Sequence, residues 1–386
     1  MTGPSGRGGT TVISAGRVVT GAAELAPGWV EVRNDRVLDV GAGQPGRAAD
    51  LQFLSMTMIP GLVDTHVHGG GGASYSTDRP EEALAVARSH LDFGTTAHVA
   101  SLVTAPLPEL TRQVSMLGEL VEEGLLEGVH LEGPWLAPTF AGAHSLGDLR
   151  APTRADLARL LRAGRGTVRM VTVAPELPGG IDAVRHVVDA GAVAAIGHTA
   201  ADHRTVRSAI EAGATVATHL FNAMPPIHHR DPGPVVALME DPRVAVELIL
   251  DGHHVHPSTA ALAMRRAAGG FHLVTDAMAA AGTEDGRYAL GARTVDVRRG
   301  VATLEGTRTL AGSTLTMDAA LRGAVAAGQS LRVAVEAATM LPAVHLSLGG
   351  IGRLAPGYRA DLVLLDDMLI PRHTMRRGRW IEQPTS

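Results

Sequence analysis

Between about residues 85 and 331 the chain alternates short β-branched runs with Ala/Leu/Arg-rich stretches of helical character, and this alternation restricts the fold more than any other feature. Strands are predicted over 58–65, 95–102, 127–132, 168–173, 193–198, 214–219, 244–250 and 272–276. Helices are predicted between them, for example over 81–93, 108–123, 154–162, 181–190 and 203–212. Gly94, Gly124, Gly191 and Gly213 fall just past helix ends, where a residue free to take positive φ caps the last turn. A strand followed by a helix, eight times over, predicts a closed (β/α)8 barrel of the TIM type.

The ends of the chain follow another period. Thr11-Val12-Ile13-Ser14 and Trp29-Val30-Glu31-Val32 alternate apolar with polar, and turn residues such as Asn34-Asp35 separate runs of this kind. Ala360 to Leu365 reads as a strand near the other end. The expectation is a disordered leader over 1–9, a small β-sandwich assembled from 10–57 and 346–386, and a barrel over 58–345. Met1 to Gly9 lack the apolar stretch of a signal peptide, and no apolar run is long enough to span a bilayer. The expected location is the cytoplasm, with no membrane partner. The net charge of −5 and the lack of a basic run argue against nucleic acid.

There is no cysteine, so any metal must be held by His, Asp or Glu. At the end of the first apolar run stand His66 and His68, two residues apart. Side chains at this spacing project to the same side of an extended backbone, so both imidazoles can reach one ion. In a barrel of this type the chemistry lies at the C-terminal ends of the strands. His130 and Glu132, His198, His219, Asp251 with His253-His254, and Asp276 all fall there. Glu132, His198 and His219 make a carboxylate-plus-two-imidazole set that leaves a zinc ion an open position for water. Asp276 is then placed as general base. The cofactor expected is a divalent metal, zinc, with one or two ions per subunit.

These blocks resemble the amidohydrolase superfamily and, within it, the N-acetylglucosamine-6-phosphate deacetylase family. The motifs are Pro60 to Gly69, His130 to Pro134, Gly197-His198-Thr199-Ala200, Thr218 to Met224, Asp251 to Val255, Val274 to Ala277 and Ala311 to Met317, with Gly352 to Val363 resembling the usual superfamily ending. The resemblance spans nearly the whole chain, and the block around Asn222-Ala223-Met224 is its most specific part. It implies a principal metal on Glu132, His198 and His219, a second on His66 and His68, and Asp276 as the acid/base. It also implies substrate contacts at His144, Asn222, Ala223 and His254. Met317 would line an acetyl pocket, and Arg230 would reach the phosphate bound by a neighbouring subunit, making the enzyme a homodimer. Where some members carry lysine ahead of the Ala-His pair, this chain has Pro138-Thr139-Phe140-Ala141.

Plainer readings apply to the remaining histidines. His90, His186, His203 and His345 fall on or beside helices and read as packed or solvated. His130 shares a strand face with Glu132 and reads as support behind the ligands. Gly69 to Gly72 read as a flexible loop, and His228-His229 as exposed. The expected activity is hydrolysis of N-acetyl-D-glucosamine 6-phosphate to the free amine and acetate. The competing readings are N-acetylgalactosamine-6-phosphate deacetylase, aminoacyl deacetylase or cyclic amidase activity, and a non-catalytic barrel scaffold.

Overall fold

In the computed structural model, which describes residues 9–381, eight parallel strands form one sheet in sequence order. They are Leu62–Val67, Thr95–Leu102, Gly128–Glu132, Val168–Val173, Val193–Ile196, Val216–Ala217, Ala245–Leu248 and Phe271–Leu273. Nearly all of their residues are buried, as expected for strands covered by helices outside and packed against each other inside. The helices begin where the sequence offers caps. Thr153 accepts from Asp156 N–H ahead of Arg154–Ala163, and Asp202 accepts from Thr205 N–H ahead of His203–Glu211.

The first and eighth strands close the barrel beyond the last regular ladder. Asp276 N–H donates to His66 O at 2.9 Å, and His68 N–H donates to Ala277 O at 2.8 Å. The fully buried Asp64 staples this seam from the side, accepting from Thr275 Oγ1 at 2.5 Å and from His66 N–H at 3.2 Å. The residues that shut the barrel are thus the ones predicted to carry the chemistry.

The expected strand 58–65 is two strands. Leu51–Pro60 belongs to the sheet built from the chain ends, and Leu62–Val67 to the barrel. Gly61 makes the transition. A Cβ there would sit 2.1 Å from Thr96 Oγ1, so only glycine lets the chain pass. The expected strand 214–219 shrinks to Val216–Ala217, because the backbone leaves extended geometry before His219.

The terminal sheet has eight strands. Thr10–Val19 pairs antiparallel with Gly28–Arg33 and parallel with Leu51–Pro60, which pairs in turn with Leu362–Leu365. A bridge between Arg36 and Arg359 brings the far edge back, so the sheet curls around Ile13, Val18, Val30, Met58, Leu362 and Leu364. Leu346, Leu348 and Ile351 instead plug the barrel floor against Val63, Val99 and Met170. Of the leader expected over 1–9, all but Gly9 lies outside the described residues, as do 382–386. Among the described residues no helix is long and apolar enough to cross a membrane.

A further three-stranded antiparallel meander follows the eighth barrel strand, over Gly286–Leu290, Arg293–Arg298 and Val301–Leu304. Its apolar side, with Val295, Val297 and Leu304, packs on Val103, Met278 and Ala280 above the barrel mouth.

Arg359 joins the terminal segment to the barrel. It is 7% exposed and binds Asp361 Oδ2 at 2.6 Å and Glu127 Oε1 at 2.5 Å. Arg359→Ala strands two carboxylates, and breaking a buried pair in this way costs about 3–5 kcal/mol. Denaturant unfolding of the variant should show a loss of that size, and a loss below about 1 kcal/mol would remove this contact from the account of how the two parts are joined.

Candidate active site

A cavity of about 350 Å³ opens at the C-terminal ends of the strands, within the usual range for a small-molecule site. His68, Glu132, His144, His198, His219, Asn222, Ala223, His254 and Asp276 line it from below. Leu290, Ala292 and Arg293 of the meander line it from above.

Glu132 is the hub. Its Oε1 lies 2.9 Å from His219 Nε2, 3.3 Å from His198 Nε2 and 3.4 Å from His66 Nε2. Its Oε2 lies 3.0 Å from His68 Nε2 and 3.4 Å from His144 Nε2. Asp276 Oδ1 stands 3.2 Å from His68 Nε2 and 3.6 Å from His66 Nε2. Two groups able to hold a cation result, His66–His68–Glu132–Asp276 and Glu132–His198–His219, sharing Glu132 and wholly buried.

Hydrogen bonds behind the rings fix which nitrogen faces inward. His68 Nδ1 lies 3.1 Å from Ser101 O and His198 Nδ1 lies 2.8 Å from Phe140 O, so each Nδ1 carries the proton and each Nε2 presents a lone pair. His66 Nδ1 lies 3.0 Å from Glu247 Oε2, with the same result. Yet His66 Nε2 and His68 Nε2 are 3.2 Å apart, and His198 Nε2 and His219 Nε2 are 3.1 Å apart. The lone pairs of His66 and His68, converging on each other and on carboxylates, repel unless a metal ion or a proton lies among them. Imidazole nitrogens and carboxylate oxygens, with no thiolate, suit zinc and similar divalent metals, so the residues present fit such an ion.

Where no metal supplies the positive charge, protons must. Burial works against a charged His68, but its hydrogen bonds to the accepting carboxylates of Asp276 and Glu132 carry its pKa up to about 9. Burial likewise opposes ionised Asp276, and His66 and His68 override it, drawing that carboxyl down to about 2. His144 behaves differently. Its Nδ1 accepts from Thr104 N–H at 3.2 Å, so its Nε2 bears the proton and points a donor toward the cavity. Burial holds this ring neutral and depresses its pKa to about 4.

Backbone strain collects at the same place. His198, His219, Phe221, Ala223 and Asp276 all take positive φ, between 27° and 79°. Conformations of this kind cost on the order of 1–3 kcal/mol each and persist where the surroundings dictate them.

The structure thus brings His66, His68, Glu132, His198, His219 and Asp276 together and sets His144, Asn222, Ala223 and His254 on the cavity wall. Of the His253-His254 pair, His254 lines the cavity, its Nδ1 held 2.6 Å from Asp251 Oδ2. Met317, expected in an acetyl pocket, is not among the residues that line the cavity. It opens the helix Met317–Ala326 and is fully buried in the barrel core, away from the cavity wall. Arg230 is exposed and is not among the residues lining its own chain's cavity. His130 bridges Ser101 Oγ and Thr172 Oγ1 behind His66. Pro138–Phe140 forms a short 3-10 turn, and Phe140 supplies the carbonyl that orients His198.

Sequence reasoning missed the roof and the supporting groups. Arg293 came unnoticed, although Thr294-Val295-Asp296-Val297 alternates as a strand should. Glu247 also went unnoticed, although a charge inside the apolar run Val244 to Leu250 is a signal in itself.

A model of the Amidohydrolase family matches residues 57–381. The chain is 36% identical over 369 residues to an N-acetylgalactosamine-6-phosphate deacetylase of Escherichia coli O157:H7, covering 93% of this chain and 96% of that protein. It is 38% identical over 345 residues to an N-acetylglucosamine-6-phosphate deacetylase of Homo sapiens, covering 84% and 83%. A solved mutant N-acetyl-D-glucosamine-6-phosphate deacetylase from Mycobacterium smegmatis, in complex with N-acetyl-D-glucosamine-6-phosphate, superposes with a TM-score of 0.95 at 48% identity, covering 97% and 99%.

The elevated His68 pKa has a consequence for chelator-treated protein. A folded-state pKa of about 9 against an ordinary 6.5 contributes stability that is complete below pH 6.5 and lost as the pH rises through 9. The loss should be on the order of 3 kcal/mol. Unfolding of chelator-treated protein at about pH 6 and about pH 10 measures it, and equal stability at the two would exclude protonated His68 as the substitute cation.

Proposed function

The chain belongs to the amidohydrolase family, and on that premise we propose that it hydrolyses the acetamide of N-acetyl-D-glucosamine 6-phosphate, giving D-glucosamine 6-phosphate and acetate. The observation that carries this reading is the pair of cation-binding groups joined by Glu132 beside Asp276, at the foot of a cavity large enough for a sugar phosphate. Glu132, His198 and His219 would hold one divalent ion, and His66 and His68, with Glu132 shared and Asp276 adjoining, a second; the metal is zinc. An ion bound there supplies Lewis acidity, lowering the pKa of water and polarising the acetyl carbonyl.

This chain's residues do the rest. Asp276 lines the cavity, and its carboxylate takes the proton from the attacking water. His144 Nε2–H donates to the oxygen on which negative charge develops. As the C–N bond breaks, Asp276 returns its proton to the departing amine, so the carboxylate is regenerated with each turnover. Asn222, Ala223 and His254 hold the sugar phosphate. The sequence has no lysine, so positive charge to meet the phosphate must come from arginine or histidine. Arg230 of a neighbouring subunit fills this role in a homodimer, as a guanidinium matches a phosphate bidentately. The enzyme works in the cytoplasm, in amino-sugar breakdown.

The similarity to the Escherichia coli O157:H7 protein favours a second reading, the galactosamine epimer. Acetate release from the two epimeric 6-phosphates decides between them. The glucosamine epimer should have the higher kcat/KM, and the reverse order would transfer the assignment. On the better substrate, Asp276→Asn should lower kcat by at least about 10²-fold, the scale of a general base, while metal content stays. Activity within a few-fold of the parent would remove Asp276 from the mechanism.

Arg230→Ala should raise KM for the phosphorylated substrate roughly ten-fold or more and leave the unphosphorylated sugar nearly unaffected, since a charge-assisted contact is worth about 1.5–3 kcal/mol. Mixed dimers of Arg230→Ala and Asp276→Asn chains should regain activity, because one of their two sites has both residues. Verified heterodimers without recovery would refute the shared site.

A further inference from the structure

We infer that Glu247, which belongs to none of the site motifs, is a positioning residue for both metal groups; the inference rests on the metal-binding reading above. Glu247 lies in the seventh barrel strand, Ala245–Leu248, with its side chain fully buried. A single oxygen, Oε2, gathers two N–H groups. One is His66 Nδ1–H at 3.0 Å, and the other is the backbone N–H of His219 at 3.2 Å. The first contact keeps the proton on Nδ1, so the lone pair of His66 Nε2 faces Glu132 and His68. The second pins the backbone of a residue whose φ is +27°, in a region that side chains other than glycine rarely occupy. The main chain of Glu247 adds a third tie, its carbonyl accepting from Leu220 N–H at 2.9 Å. One residue therefore orients a ligand of each metal group, and a carboxylate behind a metal-binding imidazole also makes the ring a better donor.

The other oxygen faces the barrel floor. Oε1 stands 3.6 Å from His272 Nε2, and His272 Nδ1 lies 2.9 Å from His345 Nδ1. If His345 donates in that contact, His272 bears its proton on Nε2 and turns it toward the carboxylate. Among the described residues the ion-pair partners of Glu247 are these two imidazoles, His66 and His272. The buried charge is answered by His66, by His272 and by the His219 N–H, an arrangement that serves the metal-facing residues rather than general packing.

Glu247→Gln tests this directly. The amide keeps an acceptor oxygen for His219 N–H and removes the charge behind His66. Zn²⁺ affinity is measured on holoenzyme by competition with a chromophoric chelator, with circular dichroism and thermal unfolding as checks on the fold. The expected result is affinity weakened about 10–100-fold with the fold retained, the range found when such a supporting group is lost. In a His66→Gln background, adding Glu247→Gln should cost no more than about two-fold further, because the ring through which the charge acts is gone. Unchanged affinity in folded Glu247→Gln overturns the inference, as does an equal further loss in the His66→Gln background, which would mark a merely structural role. If Glu247→Gln does not fold, Glu247→Asp keeps the charge and withdraws it by one methylene from His66. Weakened Zn²⁺ binding there upholds the inference, and parental binding overturns it. Failure of the parent protein itself to bind Zn²⁺ would instead strike the metal reading on which this one stands.

Discussion

The seam between the first and last barrel strands is the constraint on which the molecule depends. Its hydrogen bonds run through His66 O, Asp276 N, His68 N and Ala277 O, with Asp64 clamped across it. His66 and Asp276 are therefore backbone partners, and His68 is tied to the neighbouring Ala277, before any of their side chains meet. Their side chains cannot separate without opening the barrel. That is how imidazoles with facing lone pairs can be kept in place: the cost of crowding them is met by the closure of an entire domain, and a bound cation then turns repulsion into coordination.

The site's geometry comes from departures from regular structure. Strands deliver His198, His219 and Asp276 to the barrel mouth, but each of these residues sits at positive φ just past the last ladder contact. An ordinary extended continuation would alternate side chains between the interior and the helix layer. The left-handed step re-aims each ring or carboxylate across the mouth toward Glu132. Backbone carbonyls of Ser101 and Phe140 and the carboxylates of Glu247 and Asp251 then fix the tautomers.

Much of this was legible in the sequence because barrels repeat. The strand–helix alternation and the placement of His66, His68, Glu132, His198, His219 and Asp276 at strand ends needed only local pattern. What escaped notice depended on contacts between distant segments. Pro60-Gly61-Leu62 looks like the middle of one apolar strand, and only the approach of Thr96 explains why the chain changes sheets there. The meander over Gly286–Leu304 alternates plainly enough, but nothing local says that it roofs a cavity. Met317 follows a motif yet points into the core, because it opens a helix whose buried face needs it. Glu247 was visible as a lone charge in an apolar run, though its partner lies about 180 residues away.

The terminal sheet pairs Leu51–Pro60 with Leu362–Leu365, strands separated by roughly 300 residues of chain. During synthesis Leu51–Pro60 must therefore wait, with one edge unpaired, until roughly 300 further residues have emerged. Contacts this distant in sequence form late, and an open strand edge invites pairing with other chains in the meantime. The exposed residues of Leu51–Pro60 include Gln52, Leu54 and Ser55, so the polar positions blunt the edge only in part. Expression at high concentration should thus be limited by association of nascent or newly released chains through this strand, rather than by the stability of the finished barrel.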